Sequence, residues 1–248
     1  MHSGISVILA AERVGSVFGF PVTNGLLMSW LLMALLIIAA FFIGRSLKLS
    51  PGRFQAALEW AFEGAFDYIA QTLGSREWAR RFFPLLATVF IFILAGNELE
   101  FFPGIGSIGL THGSLFVPLL RTPATDLNFT LALAIICFLV IEATGVAAIG
   151  ALKYAGRYIN LRSPLGFAVG LIELMSTLGR LISFSFRLFG NIFAGEVMVL
   201  VAGYFLPYLL PVPLEGFEMF IGVVQALVFS MLTLFFVKLA IAEPEMAH

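Results

Sequence analysis

Arg187, in the segment SFSFRLFGNIFAGE (183–196), is a charged residue within an apolar run that carries no turn signal. If this run crosses a membrane, an arginine at the bilayer centre costs about 2.5–3.5 kcal/mol on insertion scales. It must therefore face protein, water or a counter-charge. A guanidinium remains charged at any relevant pH, so its chemistry is that of a fixed positive charge rather than of an acid or a base.

Further polar residues project from the same side of the predicted helix as Arg187, at 100° per residue. The stripe consists of Glu173, Ser176, Thr177, Arg180, Arg187 and Asn191. Ser176, Thr177 and the nearby Ser183 fit simple packing equally well, because hydroxyl groups often hydrogen-bond between membrane helices. The same alternative stays open for Glu142 in the preceding span. For Arg180, which lies nearer one end of the helix, we favour extension to water.

Carboxylates lie on both sides of Arg187. Glu173 comes 14 residues earlier, roughly 21 Å of helix away, and Glu196 follows it. The next predicted helix carries Glu218 and, seven residues later on the same face, Gln225. Because a fixed positive charge repels a proton or sodium ion in transit, an ion can pass only on a carboxylate supplied by a partner. The pattern therefore indicates an ion path divided into two by Arg187.

The composition indicates that most of the chain lies in lipid. Of its 248 residues, 60% are hydrophobic and 12% are charged, against roughly 45–50% apolar and about 25% charged in soluble domains. The net charge of −1 gives no support for nucleic-acid binding. The sequence carries no metal-ligand cluster, nucleophile triad or phosphate loop, so we expect no metal, cofactor or covalent chemistry. Cys137, the one cysteine, fits packing, and we expect no cleaved signal peptide.

Five apolar segments are long enough to cross a hydrocarbon core of about 30 Å. We take the chain as a single membrane domain (1–248) with an outer N-terminal segment (1–24), helix 25–44, a surface helix (50–73), a marginal span (82–97), a span (127–152), a long helix (165–206) and a last helix (214–243). In a helix, the long proline-free segment would reach roughly 63 Å, so we expect the last two helices to form a long inclined hairpin. The predicted fold is an all-α polytopic membrane protein.

The surface helix differs from the spans because it is amphipathic. Ser50 can cap it and Pro51 suits its first turn. Its polar stripe consists of Glu59, Glu63, Asp67 and Gln71. The pattern predicts a helix that lies in the plane of the membrane or, equally, one that packs its apolar face on protein.

The placement of arginine and lysine predicts the orientation. Nine of these residues lie in the segments that follow the first span and precede the long helix, and two lie on the opposite side. The nine are Arg45, Lys48, Arg53, Arg76, Arg80, Arg81, Lys153, Arg157 and Arg162, and the two are Arg13 and Arg121. We therefore expect the N-terminus outside and, after five spans, the C-terminus inside.

Four segments resemble subunit a of the F-type ATP synthase, the stator beside the rotating c-ring. SFRLFGNIFAGE (185–196) is similar to the arginine signature of that family, and Glu173 stands 14 residues before the arginine as it does there. Three further segments resemble the family in the same order: GNELEFFPG (96–104), TPATDLNFTLALA (122–134) and QALVFSMLTLFFV (225–237). The resemblance covers about residues 80–243.

The resemblance implies a stator with two offset aqueous half-channels that pass protons to and from c-ring carboxylates, while Arg187 prevents a short circuit. The outer half-channel would be bordered by Asp126, Asn191, Glu196, Glu218 and Gln225, and the inner one by Glu173, Ser176 and Ser183. The implied partners are the c-ring, the b-type subunits of the peripheral stalk and membrane lipid. The implied location is the bacterial plasma (inner) membrane, with the C-terminus in the cytoplasm. The chain would be a non-catalytic subunit without an ATP site.

Two departures from the family pattern bear on the mechanism. Leu181 stands where many relatives have proline, so the long helix is expected to bend less. Glu196 and Glu218 are both acidic, where some relatives have a histidine at one of these positions. The sequence does not distinguish protons from sodium ions, because the carrier carboxylate lies on a partner chain.

The alternative class is a secondary ion-coupled transporter, and a third class is a membrane subunit that only anchors a complex. Transporters usually show internal repeats and broken helices, which we do not find in this sequence. An anchor has little need of Arg187.

Overall fold

The computed structural model describes residues 12–17, 19–102, 104–105, 108–112, 115–158, 164–207 and 209–242. Within these residues, five helices are long and apolar enough to cross a membrane. They are α1 (Asn24–Ser46), α3 (Arg76–Glu98), α4 (Leu127–Ile149), α6 (Pro164–Phe205) and α7 (Pro211–Ile241). The same residues also form α2 (Arg53–Leu73) and the short α5 (Ala151–Tyr158). The prediction of an all-α polytopic membrane protein is confirmed.

Two short antiparallel hairpins, which the sequence did not predict, precede α1 and α4. The first pairs β1 (Arg13–Val17) with β2 (Phe20–Thr23), and the second pairs β3 (Gly109–His112) with β4 (Leu115–Pro118). Asn24 joins them, since its buried amide donates to the carbonyl of Pro118 at 3.3 Å. The hairpins therefore tie the beginnings of α1 and α4 together at one end of the bundle.

α2 and α3 begin at different residues from those predicted. α2 starts at Arg53 after Gly52, without a side-chain cap, so the expectation that Ser50 caps this helix is wrong. α3 starts at Arg76, six residues before the predicted span, because the Ser75 hydroxyl accepts from the first free backbone N–H groups of this helix. Pro84 consequently lies inside α3, which is a span of normal length rather than a marginal one.

α4 ends three residues before its predicted limit. Gly150 has φ of 92°, a conformation that L side chains rarely adopt, and α5 begins directly after it. α6 is one helix of 42 residues from Pro164 to Phe205, close to the predicted 165–206. α7 begins at Pro211 instead of residue 214, since proline suits the first turn of a helix.

The core lies between α3, α4, α6 and α7. Its buried residues are Val89, Ile93, Ala124, Ala134, Cys137, Phe184, Leu188, Ile192, Ala226 and Phe229. α1 is different, because its buried residues all lie in its first half, and large side chains such as Trp30, Ile37 and Phe42 are exposed. Such a surface suits lipid or a partner subunit. α2 packs its apolar face on α3 and α7 through a second cluster that includes Ile69, Leu73 and Leu234.

Candidate functional site

The register of the α6–α7 hairpin determines which functional residues lie at the same level. Phe184 and Phe229 have ring centroids 4.6 Å apart. Further along, Glu218 packs on Gly195, and Pro211 lies beside Gly203. One step along α6 thus corresponds to one step back along α7. Arg187 is therefore level with Ala226 and next to the level of Gln225.

Arg187 lies on the surface of the chain, facing away from the helix bundle. Its side chain is exposed, and Nη2 donates to the Ser183 hydroxyl at 3.4 Å. The polar residues Ser176, Ser183 and Asn191 are exposed as well. Opposite them on the same helix, Leu188 and Ile192 are buried in the core. α6 therefore presents a polar, positively charged face away from the bundle, at the depth of a membrane span.

Glu218 is the most enclosed carboxylate of the predicted site, with 5% of its surface exposed. A Cβ atom added to Gly195 would lie 2.5 Å from Glu218 Oε1, so the glycine makes the space that this side chain occupies. Glu218 Oε1 is buried and has no hydrogen-bond partner among the described residues. The side chain of Asn97 donates to the carbonyl of Gly222 at 3.2 Å, which fixes the end of α3 one turn from Glu218.

Three further carboxylates lie close enough to interact electrostatically with Glu218: Glu100, Glu196 and Glu215. We call these four residues the outer carboxylate cluster, after the side of the membrane that the basic residues predict for them. Arg121 Nη2 donates to Glu196 Oε2 at 2.8 Å, in an ion pair whose arginine side chain is 13% exposed. Arg121 also interacts electrostatically with Glu100. Sequence reasoning missed Glu100, Glu215 and the pairing role of Arg121, although Glu100 belongs to the GNELEFFPG segment that it singled out.

Asp126 has a structural function at the start of α4. Its carboxylate accepts from the backbone N–H of Asn128 at 2.9 Å and from the amide of the same residue at 3.1 Å. A Cβ atom on Gly25 would lie 3.6 Å from Asp126 Cβ, so the residue also packs on the first turn of α1. Asp126 thus caps α4 and positions it against α1.

Arg180 binds the polar groups at the end of the site that the sequence predicts to be the inner one. Its Nη2 donates to Glu173 Oε1 at 3.4 Å and to the hydroxyl of Thr177. The guanidinium also lies over the ring of Phe236, 5.2 Å from the centroid. The expectation that Arg180 extends to water is therefore wrong, since its charge is held by a carboxylate, a hydroxyl and an aromatic face of α7.

Glu142 accepts hydrogen bonds from two tyrosines of α5. Tyr154 donates to Oε2 at 3.0 Å, and Tyr158 donates to Oε2 at 3.1 Å. The packing alternative left open for Glu142 thus has observed partners, which join α4 to α5. In the described part of the chain, no three histidine, cysteine or acidic side chains are placed to hold a metal ion.

The comparison with known proteins decides the family. The model of the family described as ATP synthase A chain matches residues 26–238. The chain belongs to this family. It is 33% identical over 237 residues to the protein named "ATP synthase subunit a, sodium ion specific" of Propionigenium modestum, covering 95% of this chain and 80% of the relative. It is 31% identical over 218 residues to ATP synthase subunit a of Campylobacter concisus (strain 13826), covering 88% and 89%.

Membership of the ATP synthase A chain family confirms the resemblance based on the arginine signature and disfavours the secondary transporter. It also makes the chain a multi-pass membrane protein. Of the predicted outer residues, the structure brings Glu196 and Glu218 together and keeps Asp126 in a helix cap. Of the predicted inner residues, Glu173 is paired with Arg180, while Ser176 and Ser183 lie on the exposed face with Arg187.

Proposed function

We propose that this chain is the stator subunit a of a rotary ATP synthase and that Arg187 is the fixed charge between its two half-channels. The observation that carries the proposal is the exposure of Arg187 at the depth of a membrane span. A charge facing hydrocarbon is costly, so the exposed polar face of α6 must be covered by another protein. A c-ring, whose carboxylates pass one after another, is a partner with the complementary charge.

In this proposal, the outer half-channel runs along the outer carboxylate cluster towards Arg187. Glu196 and Glu218 bind and relay the ion. Asn191 follows Arg187 by one turn on the exposed face of α6, Gln225 lies close to the level of the arginine on α7, and Asp126 holds the wall of the channel at α4. The inner half-channel runs along Glu173, Ser176 and Ser183. Because Arg187 remains charged, it favours loss of the ion from an arriving c-ring carboxylate and repels a free ion that would cross without rotation.

The proposed ion is the proton, and sodium is the alternative because one relative is named sodium ion specific. The proposed location is the bacterial plasma membrane, and the proposed partners besides the c-ring are the b-type subunits of the peripheral stalk. ATP-driven acidification of vesicles in sodium-free medium is the expected result. In medium that contains sodium, ATP-driven uptake of sodium in place of acidification would contradict the assignment of the proton.

The basic residues support an outer N-terminus and a cytoplasmic C-terminus. Single cysteines placed beside Glu173 or beside Glu196, in a chain without Cys137, test this orientation. A membrane-impermeant thiol reagent is expected to label the first from the cytoplasmic face and the second from the outer face. The reverse pattern would contradict the orientation while leaving the stator function intact.

Replacement of Arg187 by alanine tests the function. We expect Arg187→Ala to abolish ATP synthesis and ion-coupled ATP hydrolysis while the chain remains assembled, and passive proton leak to rise. Arg187→Lys is expected to fail as well, because a lysine can lose its proton in an apolar site and lacks the planar fork of arginine. Arg53→Ala, which removes an exposed arginine at the start of α2, is the matched control and should retain synthesis. Normal synthesis by an assembled Arg187→Ala complex would refute the proposal.

A further inference from the structure

Glu142 is surrounded by polar side chains, and the proposed half-channels do not include it. Tyr154 and Tyr158 both direct their hydroxyl groups at its carboxylate, at 3.0–3.3 Å. A Cβ atom on Gly145 would lie 2.2 Å from the ring of Tyr154, so the position of this ring depends on the glycine. Burial, followed by the neighbouring Tyr158 hydroxyl and the charge of Glu142, raises the pKa of Tyr154 well above its ordinary value. The phenol therefore remains a donor to Glu142.

A cavity joins Glu142 to the inner end of the site. It measures about 30 Å³ and lies between α4, α6 and α7, where its polar lining consists of Glu142, Thr177 and Arg180. A water molecule needs roughly 10–15 Å³ of such space and two or more polar partners, so the cavity has room for about two. A carboxylate, a hydroxyl and a guanidinium supply those partners.

Arg180 adjoins this cavity, and its ion pair with Glu173 offsets its charge. It lines the cavity that Glu142 faces, and it is paired with Glu173 at 3.4 Å. Among the described side chains, the charged and titratable groups around Glu142 include Tyr154 and Tyr158 on α5, Arg180 on α6 and Cys137 on α4, while α7 contributes the ring of Phe236. The polar groups thus form a continuous series from the tyrosines of α5, through Glu142 and the cavity, to Arg180 and Glu173.

We propose that Glu142 is a proton relay of the inner half-channel, which receives protons near Tyr154 and Tyr158 and passes them through water in the cavity towards Glu173. This inference rests on the proposed stator function. The step changes no covalent bond other than O–H bonds. A proton moves from water on the α5 side to the carboxylate, and the carboxylic acid then gives its proton to water in the cavity.

Glu142→Gln tests the relay, because glutamine keeps the size of the side chain and an acceptor for the tyrosines but does not carry a proton. ATP-driven proton pumping takes protons from the cytoplasmic side, which inverted membrane vesicles expose to the medium. We expect severalfold slower pumping and an altered dependence on the pH of the medium, with the dependence on the pH inside the vesicles unchanged. Glu142→Asp, which restores a carboxyl group, should recover most of the rate.

The results of this experiment separate the relay from a packing role and from failure of the proposed function. An assembled Glu142→Gln complex with the normal rate and pH profile would overturn the relay. So would equal losses in Glu142→Gln and Glu142→Asp with an unshifted profile, since that pattern means packing alone. Arg187→Ala in the same vesicles is the reference: if this variant still pumps, the stator function fails, whatever Glu142 does.

Discussion

The carboxylates at the two ends of the α6–α7 hairpin have different partners. At the outer end, three glutamates interact electrostatically with Glu218, and Arg121 is the cation paired with one of them. At the inner end, Glu173 is paired with Arg180, and Glu142 is held by two tyrosine hydroxyls. The outer region thus holds more carboxyl groups than basic partners, while the inner region keeps its carboxylates in place with matched donors. We infer that the outer region captures the ion and that the inner region guides it.

Replacing Glu218, the enclosed glutamate of the outer region, is expected to cause the largest loss of ATP synthesis. Glu218→Gln keeps the shape that fits Gly195 but removes the charge and the proton site. We expect ATP synthesis to fall by about 100-fold, the low end of what a positioned proton-transfer group contributes. ATP synthesis by reconstituted complexes, driven by an imposed ion gradient, measures this.

Glu215→Gln is the matched control for Glu218→Gln. Glu215 lies three residues away in the same helix, but it is exposed, so its replacement should change synthesis little. Glu173→Gln, at the inner end, should reduce ATP synthesis more than Glu215→Gln does and less than Glu218→Gln does. Equal losses in the Glu215 and Glu218 variants would mean that the total charge of the outer cluster matters and that the enclosed position of Glu218 does not.

Part of this comparison could be predicted from the sequence, because it depends on local features of the chain. The length of α6 and the carboxylates on either side of Arg187 follow from proline spacing and sequence order, and the structure agrees with them. The predicted polar stripe is only partly on one face, because Thr177 is buried while Ser176 and Asn191 are exposed with Arg187. The partners of those carboxylates could not be predicted from the sequence. Arg121 and Glu196 are 75 residues apart and meet only because α4 and its preceding turn pack on α6. Their pairing depends on tertiary structure, which a single sequence does not reveal.

The ends of the helices, too, could be predicted only in part from the sequence. Pro84 suggested the start of a span, but it is the ninth residue of α3, because Ser75 caps the helix further back. A proline inside a membrane helix removes a backbone hydrogen bond but need not end the helix. The tyrosines that hold Glu142 lie beyond the left-handed Gly150, where the chain reverses its course along α4. No periodic pattern crosses such a break, so this contact was missed as well.

The glycine beneath Glu218 tests whether the outer region depends on geometry as well as on charge. In Gly195→Ala, the new Cβ atom would lie 2.5 Å from Oε1 and 2.8 Å from Cδ of Glu218, so the carboxyl group must move. We expect a severalfold loss of ATP synthesis, smaller than that of Glu218→Gln because the carboxyl group is displaced and not removed. The amount of assembled subunit, measured in parallel, should remain normal.

Gly203→Ala is the control for crowding in the same hairpin. Its Cβ atom would lie 3.7 Å from Pro211, an ordinary contact distance, so synthesis should be unchanged. A similar loss in both glycine variants would show that α6 tolerates no added side chain against α7. The position of the Glu218 carboxylate would then not be the cause.

Asp126 gives the smallest expected effect and settles whether the outer region extends to α4. Its carboxylate caps α4, so Asp126→Ala should destabilise the chain by about 1 kcal/mol, measured as the free energy of unfolding in mixed detergent micelles. Asp126→Asn keeps a side-chain acceptor and should leave stability within a few tenths of a kcal/mol of the original value. Because Asn removes the charge alone, any loss of ATP synthesis in that variant reports on the ion path, and we expect a loss well below that of Glu218→Gln. A loss as large as the Glu218 variant's, with stability preserved, would make Asp126 an equal member of the ion path and would place the capture of the ion at α4 as well as at α7.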